Sequence, residues 1–385
     1  MATSFSHFSS KISVAAFFIF YSSLATSIST KTSPEAIPFK KIYAFGDSFT
    51  DTGNTKSLSG PGGFGHVSNS PYGITFFHHS TNRYSDGRLV IDFVAESLSL
   101  PFLPPYRYMK GNGANGVNFA VAGSTAISHS FFVKNNLTLN ITPESIQTQL
   151  LWFNKFMERQ GCIGSASSSP ACKAAFDGAL FWVGEMGVND YAYTIGSTVP
   201  NETIQKLVIS SLTGFLEEIL NKGARHVVVQ GLPPSGCLPL ALVLTSEDDR
   251  DNIGCAKSVN SQTQNHNMIY QTKLQDLRRQ FPEAVITYLD YWTAYHTVME
   301  NPARYGFEER LKACCGSGGP PYNFQVFATC GTPSASVCQN PSQYINWDGV
   351  HLTEAMYKEL ADMFVNGTFS HPPFSELLGK KLRGD

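Results

Sequence analysis

Short apolar runs alternate with longer amphipathic stretches along this chain. Lys41–Phe45 is a compact apolar run that stops at Gly46. Ala179–Val183 stops at Gly184, His226–Val229 gives way to Gly231-Leu232-Pro233-Pro234, and Val285–Leu289 stops at Asp290. None of these runs alternates apolar with polar positions. A strand covered by protein on both faces has this pattern, and such strands belong to parallel sheets. Between them, Ile204, Leu207, Val208, Phe215, Leu216 and Ile219 recur mostly at three or four residues, as do Ile146, Leu150 and Phe153. That spacing predicts helices with one buried stripe. After His351, Thr353 is placed to cap a helix carrying Met356, Leu360 and Phe364, with Gly367 just past its end. Strand–helix alternation over most of the length predicts one α/β domain spanning residues 38–375, with a central parallel sheet between helical layers. In such sheets ligands bind beyond the carboxyl ends of the strands, so the residues following each run are the ones to inspect.

Composition sharpens this picture. Hydrophobic residues make up 42% of the 385 positions and charged residues 15%, enough for a sizeable core and too apolar for a disordered chain. The net charge of −2, without a Lys/Arg cluster, gives no footprint for nucleic acid. Lys11 followed by the apolar run Ile12–Phe20 and small residues near Ala25–Ser27 reads as a signal peptide over residues 1–27. That run is too short to span about 30 Å of hydrocarbon, so no stable membrane insertion is expected after cleavage. Export agrees with two further features. The eight cysteines form no CxxC pair and read as disulfides, with Cys162–Cys172 and Cys237–Cys255 as local pairs and Cys314, Cys315, Cys330 and Cys338 unassigned. Four glycosylation sequons stand at Asn136, Asn140, Asn201 and Asn366.

Four blocks carry candidate chemistry. Gly46-Asp47-Ser48 follows the first strand, and a serine there is either an exposed nucleophile or an ordinary turn or cap residue. Asn118-Phe119-Ala120 leads to Gly123, whose N–H is either an oxyanion donor or part of a close-packed strand end. Gly184-Glu185-Met186-Gly187-Val188-Asn189-Asp190 follows another strand and offers the Asn189 amide as a second donor, or simply a turn. Asp348-Gly349-Val350-His351 places a carboxylate three residues from an imidazole, a spacing that lets the acid fix the ring's tautomer. A metal-ligand pair or a structural hydrogen bond are the other readings, but no HExxH or Cys/His cluster supplies further ligands, and no metal is expected. Asp47, Glu185 and Asp190 read as acids that hold loops or support the catalytic residues from behind. Phe76, Phe77, His78 and His79 form a possible pocket lining or a solvated loop; Asp248–Asp251 reads as a surface charge run, and Phe131, Phe132 and Trp347 as core or substrate contacts.

Taken in order, Gly46-Asp47-Ser48 with Asp51-Thr52-Gly53-Asn54, Asn118-Phe119-Ala120 with Gly123, Gly187-Val188-Asn189-Asp190 and Asp348-Gly349-Val350-His351 resemble the conserved blocks of the GDSL esterase/lipase family. The match is to its plant branch within the SGNH hydrolases and runs from residue 40 to 367. The resemblance implies a flavodoxin-like three-layer α/β/α sandwich. It implies Ser48 as nucleophile, His351 and Asp348 as the other catalytic residues, and an oxyanion hole from the Ser48 N–H, Gly123 and Asn189. Ala122 stands where many relatives carry another glycine. The GxSxG elbow of α/β-hydrolases is absent. The implied activity is hydrolysis of small acyl or plant-metabolite esters without cofactor, in the apoplast, cell wall or vacuole. An acyltransferase using the same acyl-enzyme, a lipase acting on longer-chain lipid esters and a non-catalytic binding glycoprotein are the competing readings.

Overall fold

The computed structural model describes residues 39–56, 66–139 and 141–377, all within one compact unit. The leader expected at residues 1–27 and the Asn140 sequon lie outside the described residues. The main sheet is built from β1 (Lys41–Phe45), β2 (Gly116–Asn118), β3 (Ala179–Val183), β4 (His226–Gln230) and β5 (Val285–Leu289). Its order is β2-β1-β3-β4-β5, closed at the β5 edge by the short strand Ser370–His371. Every pair among β1–β5 is parallel, while Ser370–His371 pairs antiparallel with β5.

The strands lack polar alternation because both faces of the sheet are buried. Tyr43, Phe45, Phe181, Val183, Val227, Val229, Ile286 and Tyr288 point to one core, packed by the helices Ile146–Arg159, Asn201–Lys222 and Lys257–Gln280. Ile42, Ala44, Leu180, Trp182, Val228, Val285 and Leu289 point to the other, packed by the helices Val90–Ser97, Tyr291–Glu300 and Glu354–Val365. This is the three-layer α/β/α sandwich expected from the pattern. The helix after His351 starts as its sequence requires: Thr353 is the N-cap and its hydroxyl accepts from Met356 N.

A third, smaller core lies beneath the C-terminal loops. It gathers Tyr72, Tyr84, Trp347 and the half-cystines Cys314, Cys315 and Cys330. Disulfides join Cys162–Cys172 and Cys237–Cys255, the two expected pairs, and Cys314–Cys338 and Cys315–Cys330. The last two bear on the site. Cys314 N donates to Asn346 O at 3.0 Å and Cys315 N to Trp347 O at 2.7 Å, so the doubly crosslinked segment is laced to the chain entering Asp348.

The strand order reverses between β1 and β3. Gly184 N donates to Phe45 O at 2.8 Å, carrying their pairing to the carboxyl ends. A crevice opens outside such a reversal, and the residues after β1 and β3 stand at its walls. The aromatic centre of the first core is Phe153, fully buried, whose ring meets Tyr43, Phe45, Phe119 and Phe181 at 5.4–5.8 Å. Replacing it by alanine is expected to cost about 3–5 kcal/mol. Urea unfolding of Phe153→Ala beside the wild type measures this, and an unchanged midpoint would refute the packing described.

Candidate active site

β1 ends at Gly46, which has φ +151°; a Cβ there would lie 3.0 Å from Thr50 Cβ and 3.3 Å from Gly184 Cα. Only glycine lets the two strand ends approach this closely. Beyond it, Thr50 N and Asp51 N donate to Asp47 O at 3.1 and 2.9 Å, closing a turn that presents Ser48. The Ser48 hydroxyl is 2.7 Å from His351 Nε2. On the ring's other side, His351 Nδ1 lies 2.8 and 3.0 Å from the Asp348 carboxylate oxygens. Solvent exposure rises from 0% at Asp348 through 2% at His351 to 7% at Ser48, so the line opens to the surface at its hydroxyl end.

Asp348 is well provided with donors. His351 N and Val350 N donate to its Oδ1 at 2.8 and 3.0 Å, and the Tyr72 hydroxyl donates to Oδ2 at 2.8 Å. Burial by itself would raise the Asp348 pKa. The charge of His351 and these hydrogen bonds outweigh it and hold the carboxyl below its ordinary value. Tyr72 is pushed far up by burial and by Asp348's charge, so it stays a donor. Phe49 and Tyr84 flank the His351 ring with centroids at 5.4 and 4.6 Å. Trp347 N donates to His351 O at 2.7 Å and pins the loop from the far side.

The structure also brings Gly123 and Asn189 to this crevice. Val121 N and the Ser124 hydroxyl donate to Gly46 O at 3.2 and 3.0 Å, which draws the segment before and after Gly123 to the end of β1. Gly123 has φ +77°, and a Cβ there would clash with Ile141 and with the Tyr193 hydroxyl at 2.7–2.9 Å. Asn189 Nδ2 donates to Asp47 Oδ2 at 2.9 Å and to Ser124 O at 3.0 Å, so this amide bridges two of the blocks. Asp190, next in sequence, accepts from Ala126 N and Ile127 N at 2.9 Å each and ties the same loop to the helix Val188–Tyr193. Burial outweighs those two bonds and pushes the Asp190 pKa up to about 7.

Several residues of the other blocks act as scaffolding. Asp51 accepts from the backbone N–H groups of Gly53, Asn54, Thr55 and Ala122. Asn54 Nδ2 donates to Asn118 O and Ala120 O, both at 2.8 Å, and Asn118 Nδ2 donates to Thr50 O at 2.6 Å. Two contributors were invisible in the sequence. One is Tyr72. The other is Gln149, fully buried on the helix Ile146–Arg159: its Oε1 accepts from Gly46 N at 2.9 Å and its Nε2 donates to Gly46 O at 2.7 Å. A polar residue inside a predicted apolar helix stripe was the available signal.

Of the remaining candidates only Trp347 adjoins this line. Phe76 and Phe77 pack on Phe102 and beneath Arg88 and Arg83, with His78 and His79 exposed. Phe132 and Trp347 are fully buried, and Phe131 packs against Phe132. Asp248–Asp251 forms a capped surface turn in which Asp249 accepts from Ser258 and Asp251 from Cys255 N. Asn136, Asn201 and Asn366 are exposed.

Comparison with known proteins decides the family. The family model described as GDSL-like lipase/acylhydrolase matches residues 42–364. The chain belongs to the GDSL lipase/acylhydrolase family. A GDSL esterase/lipase of Arabidopsis thaliana is 60% identical over 352 residues, covering 90% of each chain. A second Arabidopsis GDSL esterase/lipase is 40% identical over 93% of this chain and 92% of its own. Acetylajmalan esterase 2 of Rauvolfia serpentina is 39% identical over 85% of this chain and 90% of its own. The GDSL protein is therefore a carboxylic ester hydrolase of the esterase/lipase type. Among its described residues, no helix is long and apolar enough to cross a membrane. For this hydrolase, Tyr72→Phe is expected to lower kcat roughly tenfold, since a hydrogen bond to a charged group is worth about 1.5 kcal/mol. Steady-state ester hydrolysis by the folded variant measures it; unchanged kcat would mean that the Tyr72–Asp348 bond does nothing for turnover.

Proposed function

We propose that this GDSL protein is a secreted serine esterase that hydrolyses small acyl esters through an acyl-enzyme on Ser48. The observation that carries this reading is the unbroken hydrogen-bonded line from Ser48 Oγ through His351 to the Asp348 carboxylate. His351 Nε2 takes the hydroxyl proton as Ser48 Oγ bonds to the ester carbonyl carbon. The negative charge that moves to the carbonyl oxygen is met by the Ser48 and Gly123 N–H groups and the Asn189 amide. Losing one such donor typically costs ~10²–10³ in turnover. His351 then returns the proton to the departing alcohol, leaving the acyl group on Ser48. Water repeats the attack, His351 again acting as base, and the carboxylic acid leaves. Asp348 stays ionised and stabilises the imidazolium formed in each half-reaction. The chemistry calls for no metal or organic cofactor.

The name of the Rauvolfia relative speaks of an acetyl ester, which supports a small acyl group on a plant-metabolite alcohol. Secretion is supported by the sequence of residues 1–27 and by four disulfides, which persist in oxidising compartments. The exposure of Asn136, Asn201 and Asn366 supports glycosylation there. One hydrolase domain over residues 38–375 would carry the whole activity.

Hydrolysis of p-nitrophenyl acetate, butyrate and palmitate by the protein and by Ser48→Ala tests the reading. The expected result is activity that is highest on acetate and falls by ~10³-fold or more in the variant, the scale set by removing a nucleophile that works in concert with its base. Preference for palmitate would instead mark a lipase. Full activity in Ser48→Ala would exclude Ser48 as nucleophile.

A further inference from the structure

Behind the residues of the proposed oxyanion hole lies a buried carboxyl group that the reaction itself does not use. Glu185 follows β3, is fully buried, and has neither carboxyl oxygen within reach of an N–H or hydroxyl among the described residues. Its carboxyl interacts with another buried carboxyl, that of Asp47. Two carboxylates only repel, so a bond between them requires one to carry a proton. Asp47 is the acceptor by its surroundings. Phe49 N donates to its Oδ1 at 3.1 Å and Asn189 Nδ2 to its Oδ2 at 2.9 Å, whereas no donor among the described residues reaches the Glu185 carboxyl.

We propose that Glu185 is a positioning residue that donates a hydrogen bond to Asp47 and so holds Asp47 where it fixes the Asn189 amide. Asp47 anchors one hydrogen of Asn189 Nδ2. The other rests on Ser124 O at 3.0 Å, and in the reading above it is the hydrogen that passes to the developing oxyanion. The proposal rests on the reading of Ser48 and Asn189 given above. Burial and the charge of Asp47 push the Glu185 pKa well above its ordinary value, and burial pushes Asp47 up to about 6. The other titratable groups facing Glu185 are Asp190, Tyr291 and Tyr357. Asp190 is pushed up to about 7 and is ionised before alkaline pH is reached. Burial keeps both tyrosines neutral far above their ordinary range. At alkaline pH Glu185 is therefore the group whose ionisation sets two carboxylates against each other and loosens Asn189.

Glu185→Gln and Glu185→Met are both neutral and close in size, but only the first keeps a donor. In the assay of acetyl ester hydrolysis, Glu185→Gln is expected within about threefold of wild-type kcat. Glu185→Met is expected to lose roughly tenfold in kcat with KM little changed, part of the ~10²-fold worth of an oxyanion donor. The alkaline limb of kcat in the wild type should move to higher pH in Glu185→Gln. Wild-type kcat in a folded Glu185→Met, or equal losses in both variants, would overturn the proposal. If Glu185→Met does not fold, superimposable pH profiles for wild type and Glu185→Gln would do so. Ser48→Ala measured alongside separates the two levels: if it stays active, the site reading fails, whatever Glu185 does.

Discussion

The parallel pairing of β1 with β3 sets Gly46 and Gly184 side by side at the point where the strand order turns back on itself. The rest of the site follows from that contact. Gly46 is gripped on both its N–H and its carbonyl by Gln149, and its carbonyl also receives Ser124 and Val121. One residue thus ties together the serine turn, the loop bearing Gly123 and the helix Ile146–Arg159. A side chain at Gly46 would force Thr50 and Gly184 apart and open all three. Backbone polar groups are obligatory partners, so a junction that satisfies them in only one arrangement fixes geometry as firmly as a packed core does.

Buried polar side chains gather around the crevice, and their hydrogen bonds hold its loops to one another. Asp51, Asn54, Asn118 and Gln149 each make at least two hydrogen bonds to backbone groups, and each reaches a segment other than its own. A buried polar group left unpaired costs about 1–3 kcal/mol, so each of these loops has one inexpensive conformation and many costly ones. The loop carrying Asp348 and His351 is held differently. Its entry is laced to Cys314 and Cys315, whose disulfides to Cys338 and Cys330 restrict a region with little regular structure. Covalent bracing replaces a large core where the chain has only the small cluster around Tyr72, Tyr84 and Trp347.

How much of this was legible in the sequence depends on whether the signal was local. The strands β1, β3, β4 and β5 read directly, because burial on both faces leaves an unbroken apolar run. The helix after His351 read from its cap and spacing. Cys162–Cys172 and Cys237–Cys255 read as neighbours, ten and eighteen residues apart. Cys314 and Cys315 did not, because two adjacent cysteines facing Cys330 and Cys338 fit either pairing until their backbones are fixed. The edge strand Ser370–His371 is too short for any pattern. The ordered blocks identified Ser48, Gly123, Asn189, Asp348 and His351 as candidates, and the fold brings them to one crevice. What supports them was hidden by distance along the chain. Tyr72 is 276 residues from the carboxylate it contacts and Gln149 is 103 from Gly46. Nothing local distinguishes Tyr72 from an ordinary tyrosine, and the one local sign at Gln149, a polar side chain within an apolar helix stripe, does not say what it contacts.

The account stands on a covalent intermediate at Ser48. Its most direct test is mass spectrometry of the protein quenched in acid within milliseconds of mixing with p-nitrophenyl acetate, followed by peptide mapping. The account predicts one added acetyl group, located on the peptide containing Ser48, appearing in the first turnover and discharged as substrate is exhausted. Steady hydrolysis without a covalent adduct, or an acetyl group residing on a different side chain, would contradict it.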